Sequence, residues 1–167
     1  MMYLYYADID RIYDGDSITV TIDLGFHAAI RERSMRIMGV DTPELRGESD
    51  LHEEAGRAVR DLLRTTVLPT HKLIVESKEL DKYGRILGNL YISTEMMVAG
   101  QEFGLREYLI AMGLAVPYDG GTKHKWSEDE LKIVIANCER IQEDYPNMDC
   151  TRLSYWTQRK YEEHGLT

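Results

Sequence analysis

Three short segments of the chain carry side chains whose types and spacing suit chemistry on a phosphodiester. They are residues 14–17 (Asp-Gly-Asp-Ser), residues 36–44 (Arg-Ile-Met-Gly-Val-Asp-Thr-Pro-Glu) and residues 81–85 (Asp-Lys-Tyr-Gly-Arg). Together they supply hard oxygen ligands for a divalent cation, a further carboxylate that can accept a proton, and two arginines that can bind phosphate. This combination indicates metal-assisted hydrolysis of a phosphodiester.

The first of these segments lies in a region that reads as β-structure. Ile18, Val20, Ile22 and Leu24 alternate with polar residues, which is the pattern of a half-buried strand. The tyrosine-rich residues 3–13 precede it, and the Asp-Gly-Asp sequence between them is typical of a turn. Gly25 marks a second turn into a strand that runs through residues 30–40. The sequence therefore predicts a three-stranded meander.

Helical spacing begins at Asp50 and predicts a helix that caps the meander and ends before Pro69. Two further strands are expected at residues 72–75 and 85–93, and a short helix at residues 104–113. Ser127 and Glu130 form a capping box that begins another helix, whose residues 131–141 carry an apolar stripe. The tail, with Leu153 and Trp156, is expected to add an amphipathic turn or two that dock on the domain.

These elements predict an α+β fold that is mainly β: a five-stranded, OB-fold-like Greek-key barrel with two to three helices and an added C-terminal helical segment. Residues 1–117 are expected to form the barrel domain, and residues 118–167 a helical extension packed on it.

Composition and charge limit the classes of function that the chain can have. The chain has 167 residues and a net charge of −9, which argues against broad electrostatic clamping of nucleic acid and requires a focused basic site. We expect a soluble, cytoplasmic protein without membrane contact, because no basic leader and no membrane-length apolar stretch is visible. Cys138 and Cys150 fit no zinc spacing and are expected to be packing residues rather than a disulfide.

The order and content of the three segments resemble the staphylococcal nuclease (thermonuclease) family. The strings Val-Asp-Thr-Pro-Glu at residues 40–44 and Asp-Lys-Tyr-Gly-Arg at residues 81–85 carry the resemblance, which runs from about residue 13 to residue 116. It implies a calcium-dependent nuclease that hydrolyses DNA with little sequence preference, leaves 3′-phosphate ends, and needs no protein partner. RNA is left open as a second substrate.

The resemblance also implies roles for individual residues. Asp16, Asp41 and the backbone carbonyl of Thr42 would bind one calcium ion, with other divalent metals left open, and Asp14 would orient a ligated water. Glu44 would act as general base. Arg36 and Arg85 would bind the scissile phosphate, and Lys82 and Tyr83 would contact a terminal phosphate of the substrate. Tyr118 lies one position away from the place of the family's stacking tyrosine and is the nearest candidate for a stacking contact.

Other interpretations stay open at this stage. The Asp14–Asp16 sequence alone is also an ordinary hairpin turn, and Arg36 could pair structurally with Glu32 or Glu44. The alternative function is a non-catalytic OB-fold module that binds nucleic acid or protein. The aromatic and basic tail, residues 155–161, could instead hold single-stranded substrate. Because calcium is scarce inside cells, a nuclease encoded by a phage and acting in the host cell is one origin that fits.

Overall fold

This computed structural model describes residues 3–67, 73–91 and 104–144 of the chain. These residues form seven strands and three helices. The strands are β1 Tyr3–Ile12, β2 Ser17–Gly25, β3 Ala28–Ile37, β4 Val40–Asp41, β5 Leu73–Leu80, β6 Ile86–Tyr91 and β7 Val116–Pro117. The helices are α1 Asp50–Thr66, α2 Leu105–Ala111 and α3 Glu128–Asp144.

Five of the strands close into a barrel in the order β1-β2-β3-β6-β5. The pairs are antiparallel except for β3 and β6, which run parallel. Alternate residues of β2 and β3, among them Val20 and Met35, point inward and are fully buried. The predicted OB-like α+β barrel and its opening meander are thereby confirmed.

The sequence misplaced the bounds of two strands. The predicted strand over residues 30–40 is divided, because Gly39 takes a positive φ of 85° and turns the chain between β3 and β4. The predicted strand over residues 72–75 continues to Leu80 as β5, although its second half is polar. Backbone hydrogen bonding to β6 extends it there without any apolar alternation.

The helices cover one side of the barrel. Ser49 caps α1 by accepting a hydrogen bond from the backbone N–H of His52 at 3.2 Å, and α1 buries Val59, Leu62 and Leu63. Helix α3 packs against α1. The predicted stripe on α3 is buried at four positions: Leu131, Val134, Cys138 and Ile141.

Several sequence predictions fall on residues outside the described ranges. These are the docking of Leu153 and Trp156, the substrate-binding role of residues 155–161, and the state of Cys150. The division of the chain at residue 117 stays a prediction. Within the described ranges, no helix combines the length and the apolar character needed to cross a bilayer.

Candidate active site

Two buried carboxylates converge on one guanidinium group. Asp16 and Asp41 are 3% and 2% exposed. The Nη2 atom of Arg36 lies 3.0 Å from Asp16 Oδ2 and 3.7 Å from Asp41 Oδ1. That nitrogen is itself buried and makes no well-directed hydrogen bond within the described structure. A buried donor without an aligned acceptor is available to an incoming anion such as a phosphate oxygen.

The fold brings these three residues together from separate segments. Ser17 pairs with Arg36 across β2 and β3, and the N–H of Ile37 donates to the carbonyl of Asp16 at 2.8 Å. Gly15 allows the 14–17 turn to approach the second segment closely, because a Cβ there would lie 2.7 Å from the Thr42 methyl carbon. A glycine at this position is therefore part of what places Asp16 beside Asp41.

Electrostatics at Asp16 favour its protonated form. Burial, together with the neighbouring Asp14 carboxylate, raises the pKa of Asp16 to about 7, although Arg36 opposes the shift. Asp14 accepts a hydrogen bond from the backbone N–H of Asp16 at 3.2 Å. Two carboxylates side by side, one of them buried, call for more positive charge than one arginine supplies.

The donor set fits a hard cation. The carboxylates of Asp16 and Asp41 each turn one oxygen toward the same point, and oxygen is the ligand that calcium prefers. Within the described residues, no three His, Cys, Asp or Glu side chains are grouped so as to hold a metal ion. Asp16 and Asp41 could supply two carboxylate ligands to an open site, in which backbone, water and substrate oxygens would complete the shell.

Glu44 is held by one contact to its backbone and one to its side chain. Its N–H donates to Nε2 of His52 at 3.1 Å. Helix α1 approaches closely at Gly56, where a Cβ would lie 2.6 Å from the Glu44 carbonyl oxygen. The Glu44 carboxylate is 43% exposed and forms an ion pair with Lys123. It is thus accessible to water, and a general base must come within hydrogen-bond reach of the water whose proton it takes.

Arg85 lies on the same outer face of the barrel as Arg36 but belongs to a different local structure. Arg36 is paired with Leu87, two residues beyond Arg85, on the neighbouring parallel strand. Strand spacing and rise place the two arginine Cα atoms about 8 Å apart. The Nε atom of Arg85 donates to Asp81 Oδ2 at 2.6 Å.

The predicted substrate contacts surround the two arginines. The ring of Tyr83 is 72% exposed and lies 5.0 Å from Lys82 Nζ and 5.5 Å from the Arg85 guanidinium. Tyr118 lies beside the other arginine, with its ring centroid 5.8 Å from the Arg36 guanidinium. The structural pairings considered for Arg36 with Glu32 and Glu44 are not formed, since its partners are Asp16 and Asp41.

Three residues that the sequence did not single out for the site also contact it. His52 and Lys123 hold Glu44, as described above. The backbone N–H of His124 donates to Asp41 Oδ2 at 3.0 Å. The imidazole of His124 contacts the Glu130 carboxylate, and hydrogen bonds from Ser127 and His124 lower the pKa of Glu130. The capping box was the only local signal in this region.

Comparison with known proteins adds two findings. The sequence model of the staphylococcal nuclease homologue family matches residues 34–139, a range that includes Arg36, Asp41, Glu44 and Arg85. Protein ParB of Escherichia coli is 32% identical over 90 residues, which make up 54% of this chain and 44% of that protein. The chain therefore spans less than half the length of this relative.

Proposed function

The chain belongs to the staphylococcal nuclease homologue family, and from this premise we propose that it is a calcium-dependent nuclease that hydrolyses DNA with little sequence preference. The observation that carries the proposal is the convergence of Asp16 and Asp41 on the buried, incompletely bonded Nη2 atom of Arg36. Buried carboxylates beside an available cationic donor suit a reaction in which a metal ion and a phosphate meet.

Asp16 and Asp41 would hold calcium, with the Thr42 carbonyl as a third ligand and Asp14 orienting a bound water. When bound, the ion supplies positive charge that polarises the phosphate and acidifies a nearby water. Arg36 binds a phosphate oxygen through its free donor and neutralises the charge that grows there during attack. Arg85 approaches the same phosphate from the neighbouring strand once substrate competes with Asp81 for its guanidinium.

Glu44 accepts the proton of the attacking water. The water oxygen forms a bond to phosphorus in line with the bond to the 5′ oxygen, which breaks. The 5′ oxygen then leaves and takes up a proton from solvent, so that the product carries a 3′-phosphate. Lys82, Tyr83 and Tyr118 contact the flanking nucleotides, and RNA that presents the same phosphates is a second substrate to test.

The test is cleavage of end-labelled single- and double-stranded DNA, and of RNA, with calcium, magnesium or chelator. Arg36→Ala and Glu44→Ala are compared with Arg57→Ala, a matched control because Arg57 is 48% exposed on α1 and, among the described residues, pairs with Glu53 alone. We expect calcium-dependent cleavage that the first two variants lose and the control retains. Products with 5′-phosphate ends would contradict the mechanism but not the nuclease assignment.

The alternative, a non-catalytic binding module, predicts a different result. No turnover would be seen in wild type or variants with any metal, while DNA would still bind. Such a result would reject the nuclease proposal, and weaker DNA binding by Arg36→Ala would then identify Arg36 as an anion-binding residue.

A further inference from the structure

Two consecutive residues after the barrel reach two carboxylates of the candidate site. Lys123 forms an ion pair with Glu44, and the backbone N–H of the next residue, His124, donates to Asp41 Oδ2 at 3.0 Å. Because Asp41 Oδ1 is the oxygen that faces Arg36, the His124 N–H fixes the other oxygen. The His124 N–H therefore sets the rotation of the Asp41 carboxylate about its Cβ–Cγ bond.

The His124 backbone is held in turn by a contact from α3. Nε2 of the His124 ring lies 3.0 and 3.1 Å from the two carboxylate oxygens of Glu130. The same carboxylate accepts the N–H of Ser127 at 2.8 Å, and Trp126 packs edge-on against the imidazole with the ring centroids 4.9 Å apart. Residue 124 is thus tied to the first turn of α3 by its side chain and to Asp41 by its backbone.

Helix α3 is a firm support for this connection. Leu131, immediately after Glu130, is 2% exposed, and Ile141 near the other end of the helix is 1% exposed. Both belong to the core, and α3 packs on α1. Movement of the Glu130 backbone would require movement of this packed helix. Its carboxylate is held by the contacts with Ser127 and His124.

We propose that Glu130 and His124 are positioning residues for Asp41: Glu130 anchors the His124 ring, and the His124 N–H orients the Asp41 carboxylate for a divalent cation. The inference rests on the proposed function for the identity of the cation. Groups that orient a metal ligand through hydrogen bonds commonly change metal affinity by about 10–100-fold when removed. Through Glu130 and His124, helix α3 helps to position Asp41 in addition to its contribution to the hydrophobic core.

The experiment measures Ca²⁺ affinity by calorimetry in the full chain, together with hydrogen exchange of the residue 124 amide in the metal-free protein. The variants are His124→Ala, Glu130→Ala and the double variant, with Asp41→Asn added for the amide-exchange measurement only. Ser127→Ala is the control, because it removes the Ser127 hydroxyl that accepts the Glu130 N–H at 3.2 Å and leaves the Glu130 contact with His124 intact. The control also reports any effect of weakening the start of α3 alone.

We expect each single variant to bind Ca²⁺ about tenfold more weakly. The double variant should lose no more than the single ones, because both residues act through one connection. The residue 124 amide should exchange faster in Glu130→Ala and in Asp41→Asn, while Ser127→Ala matches the wild type in both measurements.

Unchanged Ca²⁺ affinity and unchanged amide exchange in His124→Ala and Glu130→Ala would overturn the proposal. An equal loss of affinity in Ser127→Ala would also overturn it, because helix capping alone would then explain the effect. A wild type that neither binds Ca²⁺ nor cleaves DNA would reject the proposed function. The amide exchange would then decide separately whether Glu130 positions His124 on Asp41.

Discussion

The two arginines of the candidate site sit in opposite environments. Arg36 is 13% exposed and lies between two carboxylates from different segments, whereas Arg85 is 30% exposed and is held by Asp81, four residues earlier in its own turn. The first arrangement depends on the whole fold. The second is a local structure that any chain with the same five residues could form.

The difference separates the roles that the two regions can take. A buried cluster of like charges is costly to maintain and keeps its geometry only because the surrounding fold imposes it, which is typical of a preorganised centre. An exposed turn exchanges its partners with water and substrate at little cost. We therefore expect substitution of Arg36 to affect catalysis and stability together, and substitution of Arg85 to affect catalysis with little effect on stability.

The largest effect is expected for Arg36→Ala. Loss of the donor should lower the rate of DNA cleavage about 10³-fold, which is the upper range for removing one preorganised transition-state donor. The variant should also unfold at lower denaturant concentration, because Asp16 and Asp41 lose their cationic partner. Added calcium should restore part of that stability. Cleavage within tenfold of the Arg57→Ala control would contradict the central role of Arg36.

The second largest effect is expected in the pH dependence of the free energy of unfolding. Because the pKa of Asp16 is raised from 3.8 to about 7 on folding, the folded protein binds more protons than the unfolded chain in that range. The free energy of unfolding of the metal-free protein should therefore fall as pH rises from about 4 to about 7. The contribution is at most about 4 kcal/mol.

Urea unfolding across this pH range, compared with Asp16→Asn, isolates the contribution of this one group. Asparagine imitates the neutral carboxyl, so the difference between the two proteins should grow with pH in favour of the variant. A difference that does not change with pH would show that Arg36 keeps Asp16 ionised throughout. Calcium should reduce the difference, since it binds wild type with the carboxylate charged.

A smaller effect is expected for Arg85→Ala, in which cleavage should fall about 10²-fold. Its stability should stay within about 1 kcal/mol of wild type, because the lost ion pair is partly exposed. Arg85→Lys retains the charge but not the two-pronged geometry and should recover only part of the rate. If Arg85→Ala destabilised the protein as much as Arg36→Ala, the distinction between the two regions would be wrong.

The sequence predicted what local patterns determine. The alternation from Ile18 to Ile22 and the helical spacing after Asp50 were enough to place the meander and α1, and the turn residues placed the three segments at strand ends. The polar end of β5 was missed, because its strand geometry comes from pairing with β6 and not from its own residues.

The contacts that complete the site could not be predicted from local sequence patterns. His124 is 83 residues from Asp41 in sequence, and no spacing rule connects a backbone N–H to a carboxylate over that distance. The same holds for Lys123 with Glu44. The contact of His52 with Glu44 depends on the close approach of helix α1 that Gly56 permits. Local sequence patterns therefore predicted the residue types at the site, whereas the contacts that hold these residues in place arise from tertiary packing.

The smallest effect is expected for Asp81→Ala, which tests whether the Arg85 turn is as self-contained as its geometry indicates. Asp81 Oδ1 accepts the N–H groups of Tyr83 and Arg85 at 2.8 and 2.9 Å. Although burial opposes the shift, these hydrogen bonds and the Arg85 side chain lower the pKa of Asp81. Loss of the carboxylate should destabilise the protein by about 1 kcal/mol.

The cleavage rate of Asp81→Ala should change by less than about threefold, because substrate must displace Asp81 from Arg85 in any case. Asp81→Asn keeps the acceptor for the two backbone N–H groups and loses the charge, so it should fold as well as wild type and bind DNA slightly more tightly. Gel-shift affinities and thermal unfolding of the three proteins decide between the two roles of Asp81. A loss of cleavage in Asp81→Asn as large as that in Arg85→Ala would mean that the carboxylate positions Arg85 for catalysis, and the turn would then be preorganised like the Arg36 centre.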